Sequence, residues 1–431
     1  MIVFYKDLYF RWVVLIRRQS FSRKDAWYFW PVASMQQVVF RFYEVRYGRP
    51  CLYSVNMEDM PVGVPLRQQL AVGSYLIKQK LKGAKKYPLV LMLEPLFRCN
   101  LACAGCGKID YPDDILDKRL SVEECLQAVD ECDAPMVSIP GGEPLIHKDM
   151  PAIVEGIVAR KKFVYLCTNA LLLKKKIDDY KPSPYLTFSI HLDGNKERHD
   201  ASVCQDGVFD RAVEAIKLAL DKGFRVTINC TLFQGENAKE VAEFLDYAME
   251  LGVEGITIAP GFSYERAPQQ DIFIKGRDVK ELFRGIFKIG KNRKWKLNHS
   301  SLYLDFLAGN QSYNCTPWGN PTRNVFGWQK PCYLLADEGY AETFQQLLDE
   351  TPWEKYGTSK NPKCASCMAH CGYEATAVED MMKNPIKGLL TAIRGPKTEG
   401  DMVPEPVPVY ANEKPASSLS GIPITVEAMD S

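Results

Sequence analysis

Between residues 89 and 259, six short apolar segments alternate with longer amphipathic ones. The apolar segments predict strands at 89–96, 136–140, 163–168, 186–192, 225–232 and 255–259. The amphipathic segments predict helices at 121–132, 150–160, 209–222 and 238–251. Strands that alternate with helices pair in parallel through right-handed crossovers, and such a sheet, with helices covering one face, curls into a barrel. The sequence therefore predicts an α/β fold built on a partial, TIM-like (β/α)6 barrel.

Composition narrows the class of protein further. The chain has 431 residues and a formal net charge of +1, which gives no reason to expect a nucleic-acid partner. Its sequence contains no apolar run long enough to span a bilayer. Six of the fourteen cysteines fall in two clusters, at 99–106 and 364–371, and clustered cysteines in a reducing compartment are typical of metal or catalytic sites. We therefore expect a cytoplasmic protein.

The N-terminal region differs from the barrel segment. Residues 1–59 are rich in aromatics and arginines without a sustained period, and we interpret them as lying upstream of a true start near Met60. Residues 60–86 predict an amphipathic helix flanked by lysines. Its apolar face, which packs against the core or rests on the inner face of a membrane, comprises Leu66, Leu70, Gly73, Ile77 and Leu81.

The C-terminal region also departs from the alternating pattern. We assign residues 87–296 to the barrel and 297–393 to a small cysteine-containing domain, because the strand–helix alternation stops at that boundary. Residues 394–431 are rich in Pro, Ser, Glu and Gly, a composition typical of a disordered tail.

Three cysteines in eight residues carry the chemistry. Cys99, Cys103 and Cys106 form a C-x3-C-x2-C run directly after the first predicted strand. Thiolates are the ligands of iron–sulfur clusters, and three of them can hold three irons of a 4Fe–4S cluster while the fourth stays open. A closed zinc site would need a fourth protein ligand nearby. The spacing therefore predicts a cluster with one iron available to a chelating ligand.

This motif, its position and the six strand–helix units resemble the radical S-adenosylmethionine (SAM) superfamily. The resemblance implies that SAM binds the open iron and is cleaved to a 5′-deoxyadenosyl radical, with electrons from a donor such as a ferredoxin or a flavodoxin. It also implies that the glycine-rich end of the second strand contacts the amino group of SAM. In this sequence that segment is Gly141, Gly142, Glu143 and Pro144.

Further cofactor-binding candidates end the third and fourth strands, where barrel enzymes place their chemistry. They are Thr168, Asn169, Ser189 and His191. The run 189–194 followed by His199 and Asp200 resembles the superfamily branch that carries an auxiliary-cluster domain. That branch commonly has an arginine shortly afterwards, and this chain has none at 201–203. The partner of the SAM carboxylate is therefore not identified, and His199 and Asp200 are equally interpretable as loop-structuring residues.

Two other groups of cysteines have alternative interpretations. Cys167, at the end of the third strand, is either a hydrogen-atom donor to a carbon radical or a small buried filler. Cys364, Cys367 and Cys371 have the spacing of metal ligands, and Cys315 or Cys332 could add a fourth sulfur. They predict a second iron–sulfur cluster or a zinc site, with plain structural cysteines as the alternative.

Residues 64–391 resemble, more narrowly, the adenosylhopane synthases of hopanoid biosynthesis. The segments that carry this resemblance are 87–108, 163–170, 295–300 and 364–373. It implies that the adenosyl radical adds to the alkene of the triterpene diploptene, giving adenosylhopane for extended hopanoids, and that Cys167 quenches the radical that remains. Aromatic residues of the C-terminal region would then either line an apolar tunnel or form that region's own core; they are Tyr303, Phe306, Trp318, Phe326, Trp328 and Tyr333.

Two other functions remain open from the sequence. A peptide or protein maturase would need a recognition module before the barrel, and residues 60–89 look too short for one. An iron–sulfur electron carrier would need a cluster fully ligated by protein, which the open three-cysteine motif argues against.

Overall fold

The computed structural model describes residues 32–34, 37–43, 50–56 and 63–404. A small antiparallel sheet comes first in the chain, formed by β1 (Val32–Ser34), β2 (Gln37–Tyr43) and β3 (Pro50–Asn56). Residues 1–59 show no sustained period in the sequence, so these strands correct the prediction of an unpatterned region. The β-branched and aromatic run of β2 favours a strand even without strict alternation.

Six parallel strands follow and form the centre of the main sheet. They are β4 (Val90–Glu94), β5 (Met136–Ile139), β6 (Phe163–Thr168), β7 (Leu186–His191), β8 (Arg225–Leu232) and β9 (Gly255–Pro260). Each pairs with the next in parallel, so all six carboxyl ends lie at one end of the sheet. The predicted α/β fold is confirmed.

Helices connect and cover these strands. After α1 (Leu66–Leu81) they are α2 (Asp113–Leu116), α3 (Val122–Cys132), α4 (Met150–Ala159), α5 (Leu173–Lys176), α6 (Lys196–Ser202), α7 (Val208–Asp221), α8 (Ala238–Glu250) and α9 (Gly276–Gly290). Their starts follow local capping chemistry. Ser121 and Glu124 form a reciprocal capping box at α3, and the Asn237 side chain accepts hydrogen bonds from the first turn of α8.

Alternation along β6 shows how the sheet separates its two faces. Val164 and Leu166 are fully buried in the core between sheet and helices. Tyr165 and Cys167 therefore point to the opposite, inner face. The same alternation places Ser138 of β5 and Ser189 of β7 on that inner face, so the interior of the curved sheet is partly polar.

The C-terminal region adds strands to one edge of the main sheet. Its elements are α10 (Ser301–Leu307), β10 (Thr322–Asn324), β11 (Gly327–Gln329), β12 (Tyr340–Ala341), α11 (Phe344–Glu350), α12 (His370–Lys383) and α13 (Pro385–Arg394). β10 pairs in parallel with β4, and β11 and β12 continue antiparallel beyond it. The nine strands of this sheet run in the order β12-β11-β10-β4-β5-β6-β7-β8-β9.

Helix α1 closes the amino-terminal end of the barrel strands. Its Gln68 side chain is buried, and the amide nitrogen donates to the Tyr165 hydroxyl at 2.8 Å. Arg225 donates to the side-chain amide oxygen of Gln68 at 3.4 Å. The apolar face predicted at this helix points outward, with Leu70 62% and Leu81 84% exposed. The expectation that this face packs on the core is therefore wrong, because the buried face supplies amides to polar groups inside the sheet. Within the part of the chain described, no helix is long and apolar enough to cross a membrane.

The predicted disordered tail is also partly corrected. Residues 395–404 lie against α9 and α10: Asn310 donates to the Lys397 carbonyl at 2.8 Å, and Val403 donates to the Gly309 carbonyl at 2.8 Å. Arg284 donates to the Gly400 carbonyl at 2.6 Å. The remainder of that tail, 405–431, lies outside the described residues.

Candidate active site

The cysteine loop leaves the carboxyl end of β4. Cys99, Cys103 and Cys106 are all free and partly buried. The loop is fixed at two points, because Ala104 donates to the Ser202 carbonyl of α6 at 3.1 Å and Asn169 donates to the Asn100 side-chain oxygen at 2.7 Å. The predicted cluster-binding residues thus lie at the carboxyl end of the sheet.

The donor set of this loop fits an iron–sulfur cluster. Burial raises the pKa of Cys99 to about 11. The pKa of Cys103 lies well above its ordinary value, mainly because the thiol is buried and also because the Cys106 and Cys99 thiols are nearby. Thiolates crowded in this way are stabilised by a metal cation. In the conformation described for residues 63–404 and the three leading strands, no three His, Cys, Asp or Glu side chains are gathered closely enough to hold a metal ion. The fit therefore rests on the chemistry of the three thiols.

The glycine-rich turn after β5 packs directly on the cysteine loop. A Cβ atom at Gly142 would lie 2.2 Å from the Phe97 carbonyl oxygen, so only glycine allows this approach. Gly142 donates to the Leu96 carbonyl at 2.8 Å and Glu143 donates to the Arg98 carbonyl at 3.0 Å. The two predicted cofactor segments are therefore joined by backbone hydrogen bonds.

Glu143 links this turn to the end of β6. Its carboxylate accepts from the Thr168 hydroxyl at 2.8 Å, the Asn169 backbone at 2.9 Å and the Leu145 backbone at 3.0 Å. Burial raises the pKa of Glu143 to about 7, and the three hydrogen bonds oppose that rise. Its two oxygens are thus engaged by the protein, and Glu143 positions Thr168 and Asn169. Pro144 begins a short 3-10 turn behind it.

Cys167 lies on the inner face, one residue before Thr168. Its sulfur is 3.4 Å from the Ser138 hydroxyl, and Ser189 lies opposite it in the register of β6 and β7. Burial raises the pKa of the Cys167 thiol. A protonated thiol therefore sits inside the sheet, in a polar layer close to the cysteine loop.

His191 ends β7 and is held by a carboxylate that the sequence analysis did not single out. Asp193 is buried and lies 2.7 Å from the His191 ring nitrogen. Burial alone would lower the pKa of His191, but Asp193 holds that pKa above its ordinary value. The side chains of His199 and Asp200 form hydrogen bonds with backbone groups of the loop. The Asp193 backbone N–H donates to the His199 ring, and the Asp200 carboxylate accepts from the Gly207 backbone N–H at 2.7 Å. Both contacts fit the loop-structuring interpretation.

A buried ion pair flanks the cysteine loop and was also missed. Glu94 is the last residue of β4, and Lys108 follows Cys106 by two positions; their side chains form an ion pair. Burial alone would lower the pKa of Lys108, but Glu94 holds that pKa above its ordinary value. Aromatic rings surround the pair and the loop: Phe97, Tyr111, Tyr264, Phe326, Tyr333 and Tyr340. Of the predicted tunnel residues, Phe326 and Tyr333 belong here.

The C-terminal cysteines form a second group of thiols. Burial raises the pKa of Cys332 and of Cys367 to about 12, and the Cys364 thiol adds to both shifts. Cys315 interacts electrostatically with these three and with Cys371. A Cβ at Gly372 would lie 2.6 Å from the Cys315 sulfur, so this sulfur is pressed against the start of α12. Five unpaired cysteines from three stretches of the chain thus lie within electrostatic reach of one another, although in this conformation of the described residues no three are close enough to hold a metal ion.

Two family models match the chain. Residues 93–248 match the radical SAM superfamily. Residues 256–391 match a domain of unknown function, DUF3463. The boundary between the two matches falls near the start of β9.

Two curated proteins are similar to parts of the chain. The chain is 28% identical over 159 residues to GTP 3′,8-cyclase of Clostridium perfringens (strain 13 / Type A), covering 36% of this chain and 49% of the cyclase. It is 25% identical over 307 residues to the antilisterial bacteriocin subtilosin biosynthesis protein AlbA of Bacillus subtilis (strain 168), covering 65% of each chain. The chain thus spans about half the length of the first of these relatives. Neither of the two is an adenosylhopane synthase.

A solved structure shows the same fold. Streptococcus suis SuiB bound to the precursor peptide SuiA superposes with a TM-score of 0.54 and 17% identity, over 72% of this chain and 76% of SuiB. The cysteine loop, the turn at 141–144 and Cys167 all fall within residues 93–248, the part that matches the superfamily model. Those residues are the part of this chain that matches the radical SAM superfamily.

Proposed function

We propose that this chain is a radical SAM enzyme that adds the 5′-deoxyadenosyl group of SAM to the alkene of diploptene, giving adenosylhopane. SAM is a co-substrate in this reaction, and Cys99, Cys103 and Cys106 hold the resident 4Fe–4S cluster. When bound, the cluster supplies an electron, drawn from a donor such as a ferredoxin or a flavodoxin, that cleaves SAM.

The observation that carries the proposal is the Cys167 thiol on the inner face of the sheet, 3.4 Å from the Ser138 hydroxyl. The adenosyl C5′ radical forms a bond to the CH2 carbon of the alkene, which leaves an unpaired electron on the tertiary carbon. Cys167 gives its S–H hydrogen atom to that carbon. One electron from the donor and one proton then restore the thiol. Because burial raises the pKa of Cys167, the thiol keeps the hydrogen that this step needs.

The surroundings of the cysteine loop favour an apolar substrate. Phe97 packs on Tyr111 and Phe326 with ring centroids 5.0 and 5.6 Å away, and Tyr264 packs on Tyr333 at 6.4 Å. The exposed apolar face of α1 does not support direct delivery of substrate from a membrane, because α1 closes the opposite end of the barrel strands. Membrane contact through α1 therefore stays a separate proposal.

Replacing Cys167 tests the proposed hydrogen-atom step. Reconstituted Cys167→Ala, incubated anaerobically with diploptene, SAM and a reductant, should still cleave SAM but yield much less adenosylhopane per SAM consumed. Mass spectrometry measures both products. Cys230→Ala is the matched control, since that buried cysteine faces the helices from β8 and should leave the ratio unchanged. Native yield of reduced product from Cys167→Ala would refute the role of the thiol.

A peptide maturase is the second candidate, and the relatives named above favour it over a triterpene enzyme. AlbA, matched over 65% of this chain, is named for bacteriocin biosynthesis, and SuiB was solved with a precursor peptide. The strands β1–β3 also make the region before the barrel larger than the sequence analysis assumed. Hydrogen abstraction from a peptide releases 5′-deoxyadenosine, whereas addition consumes the adenosyl group. Untouched diploptene beside accumulating 5′-deoxyadenosine would therefore favour the maturase.

A second iron–sulfur cluster among the C-terminal cysteines completes the proposal, with zinc as the alternative metal. Five unpaired thiols, one buried and four partly buried, repel one another when ionised, and metal binding removes that repulsion. Cys364→Ala/Cys367→Ala/Cys371→Ala should lose about four iron atoms per chain relative to native protein. Elemental analysis measures iron and zinc together, and Cys125→Ala/Cys132→Ala, two buried cysteines of α3, is the control. Unchanged iron and zinc would leave these cysteines as structural.

A further inference from the structure

We infer that the Glu94–Lys108 ion pair holds the cysteine loop closed and keeps a positive charge beside its third cysteine, making both side chains positioning residues for the cluster. The inference rests on the proposed cluster at Cys99, Cys103 and Cys106. It does not depend on which substrate the enzyme uses.

The pair joins the two ends of the cysteine loop. Glu94 ends β4, Lys108 begins a 3-10 turn, and all three cluster cysteines lie between them. The two side chains are 2% and 11% exposed, so water contributes little to holding either charge. The contact therefore closes the loop through a charge pair that is shielded from water. Exposed pairs such as Lys174–Glu214, with side chains 65% and 61% exposed, lack this shielding.

The packing around Lys108 leaves its ammonium little freedom. Gly107 before it has φ of +71°, and a Cβ there would lie 1.8 Å from the Arg266 carbonyl oxygen, so the backbone is tightly packed at this point. The Lys108 ammonium lies 4.9 Å from the centre of the Phe97 ring and 5.8 Å from that of Tyr264. The charge is thus held by an ion pair on one side and aromatic faces on the other, two residues along the chain from Cys106, with which it interacts electrostatically.

The buried charge of the Glu94 carboxylate is in turn stabilised by the Lys108 ammonium. One carboxylate oxygen pairs with the ammonium, and the other is buried without a hydrogen-bond partner among the described residues. Removing Lys108 would leave a buried carboxylate uncompensated, which is strongly unfavourable. The pair therefore acts as a unit, and its loss should free the end of the loop that carries Cys106.

Two effects on the cluster follow. Groups that orient metal ligands typically contribute about 10–100-fold to metal affinity, so loss of the pair should weaken iron retention by that order. Nearby charge also sets the reduction potential of an iron–sulfur cluster, so loss of the Lys108 ammonium should make the potential more negative.

The test compares full-length, anaerobically reconstituted variants by iron release to a chelator and by redox titration of the cluster. Lys108→Met should release iron about 10–100-fold faster than native protein and titrate at a more negative potential. Arg98→Met is the matched control: Arg98 lies in the same loop, and the change removes its pair with Asp117, at 2.7 Å, whose side chains are 35% and 69% exposed. It should behave as native in both measurements.

The double variant Glu94→Gln/Lys108→Met separates cluster positioning from fold stability. It leaves no lone buried charge, so its thermal unfolding should return toward native while its iron release stays fast. Because both charges are gone, its potential should lie between those of native protein and Lys108→Met. Native iron retention in the double variant would overturn the inference. A native chain that takes up no cluster would overturn the proposed function as well, and that result is visible before any variant is compared.

Discussion

Replacing Cys99, Cys103 and Cys106 together with alanine is expected to abolish SAM cleavage. No other residues at the carboxyl end of the sheet supply three thiols on one loop, within the described part of the chain. Iron should fall by about four atoms per chain, because one 4Fe–4S cluster loses its ligands. Detection of 5′-deoxyadenosine after reduction with dithionite measures the activity, and elemental analysis measures the iron.

The control for this variant lies in the same protein. Cys204→Ala removes an exposed cysteine near the loop and should leave both iron and SAM cleavage unchanged. Iron that remains in the triple variant belongs to another site, with the C-terminal cysteines as the candidate. SAM cleavage at the native rate by the triple variant would contradict the assignment of these cysteines.

Glu143→Ala is expected to destabilise the chain by about 3–5 kcal/mol, an unusually large effect for one polar residue. The change leaves the Thr168 hydroxyl and two backbone N–H groups without their acceptor, and each such buried group costs free energy. Because Asn169 loses its anchor, SAM affinity should fall as well. Urea unfolding and equilibrium SAM binding measure the two effects.

Two further variants sharpen this prediction. Glu143→Gln keeps one acceptor oxygen and should recover part of the lost stability. Glu214→Ala removes an exposed pair with Lys174, at 2.8 Å, and should leave the free energy of unfolding close to the native value. If Glu143→Ala unfolded at the native urea concentration, the carboxylate would not be the link between the turn and β6.

The central strands could be predicted because each carries several apolar residues that are buried between the sheet and the helices. The predicted strands at 163–168 and 225–232 match β6 and β8, and the one at 136–140 is one residue longer than β5. The strands β10, β11 and β12 could not be found this way. With two or three residues each, they have no detectable period and depend on pairing with β4 and with one another.

The parts of the site that depend on side-chain pairing across the fold could not be predicted from the sequence. The cysteine spacing and the glycine-rich turn are local patterns, so both were visible in the sequence. The Glu94–Lys108 pair joins residues on either side of a loop, and neither residue has a distinctive sequence context. The outward orientation of the apolar face of α1 could not be predicted for a similar reason. The buried Gln68 bonds to Tyr165, which is 97 positions away in the chain.

The most direct test of the proposed reaction is to run it in D2O with the native, reconstituted enzyme, diploptene, SAM and a reductant. Because the Cys167 thiol exchanges with solvent, the account predicts adenosylhopane that carries a single deuterium on the former alkene carbon, seen by mass spectrometry. Unreacted diploptene together with free 5′-deoxyadenosine would contradict the account.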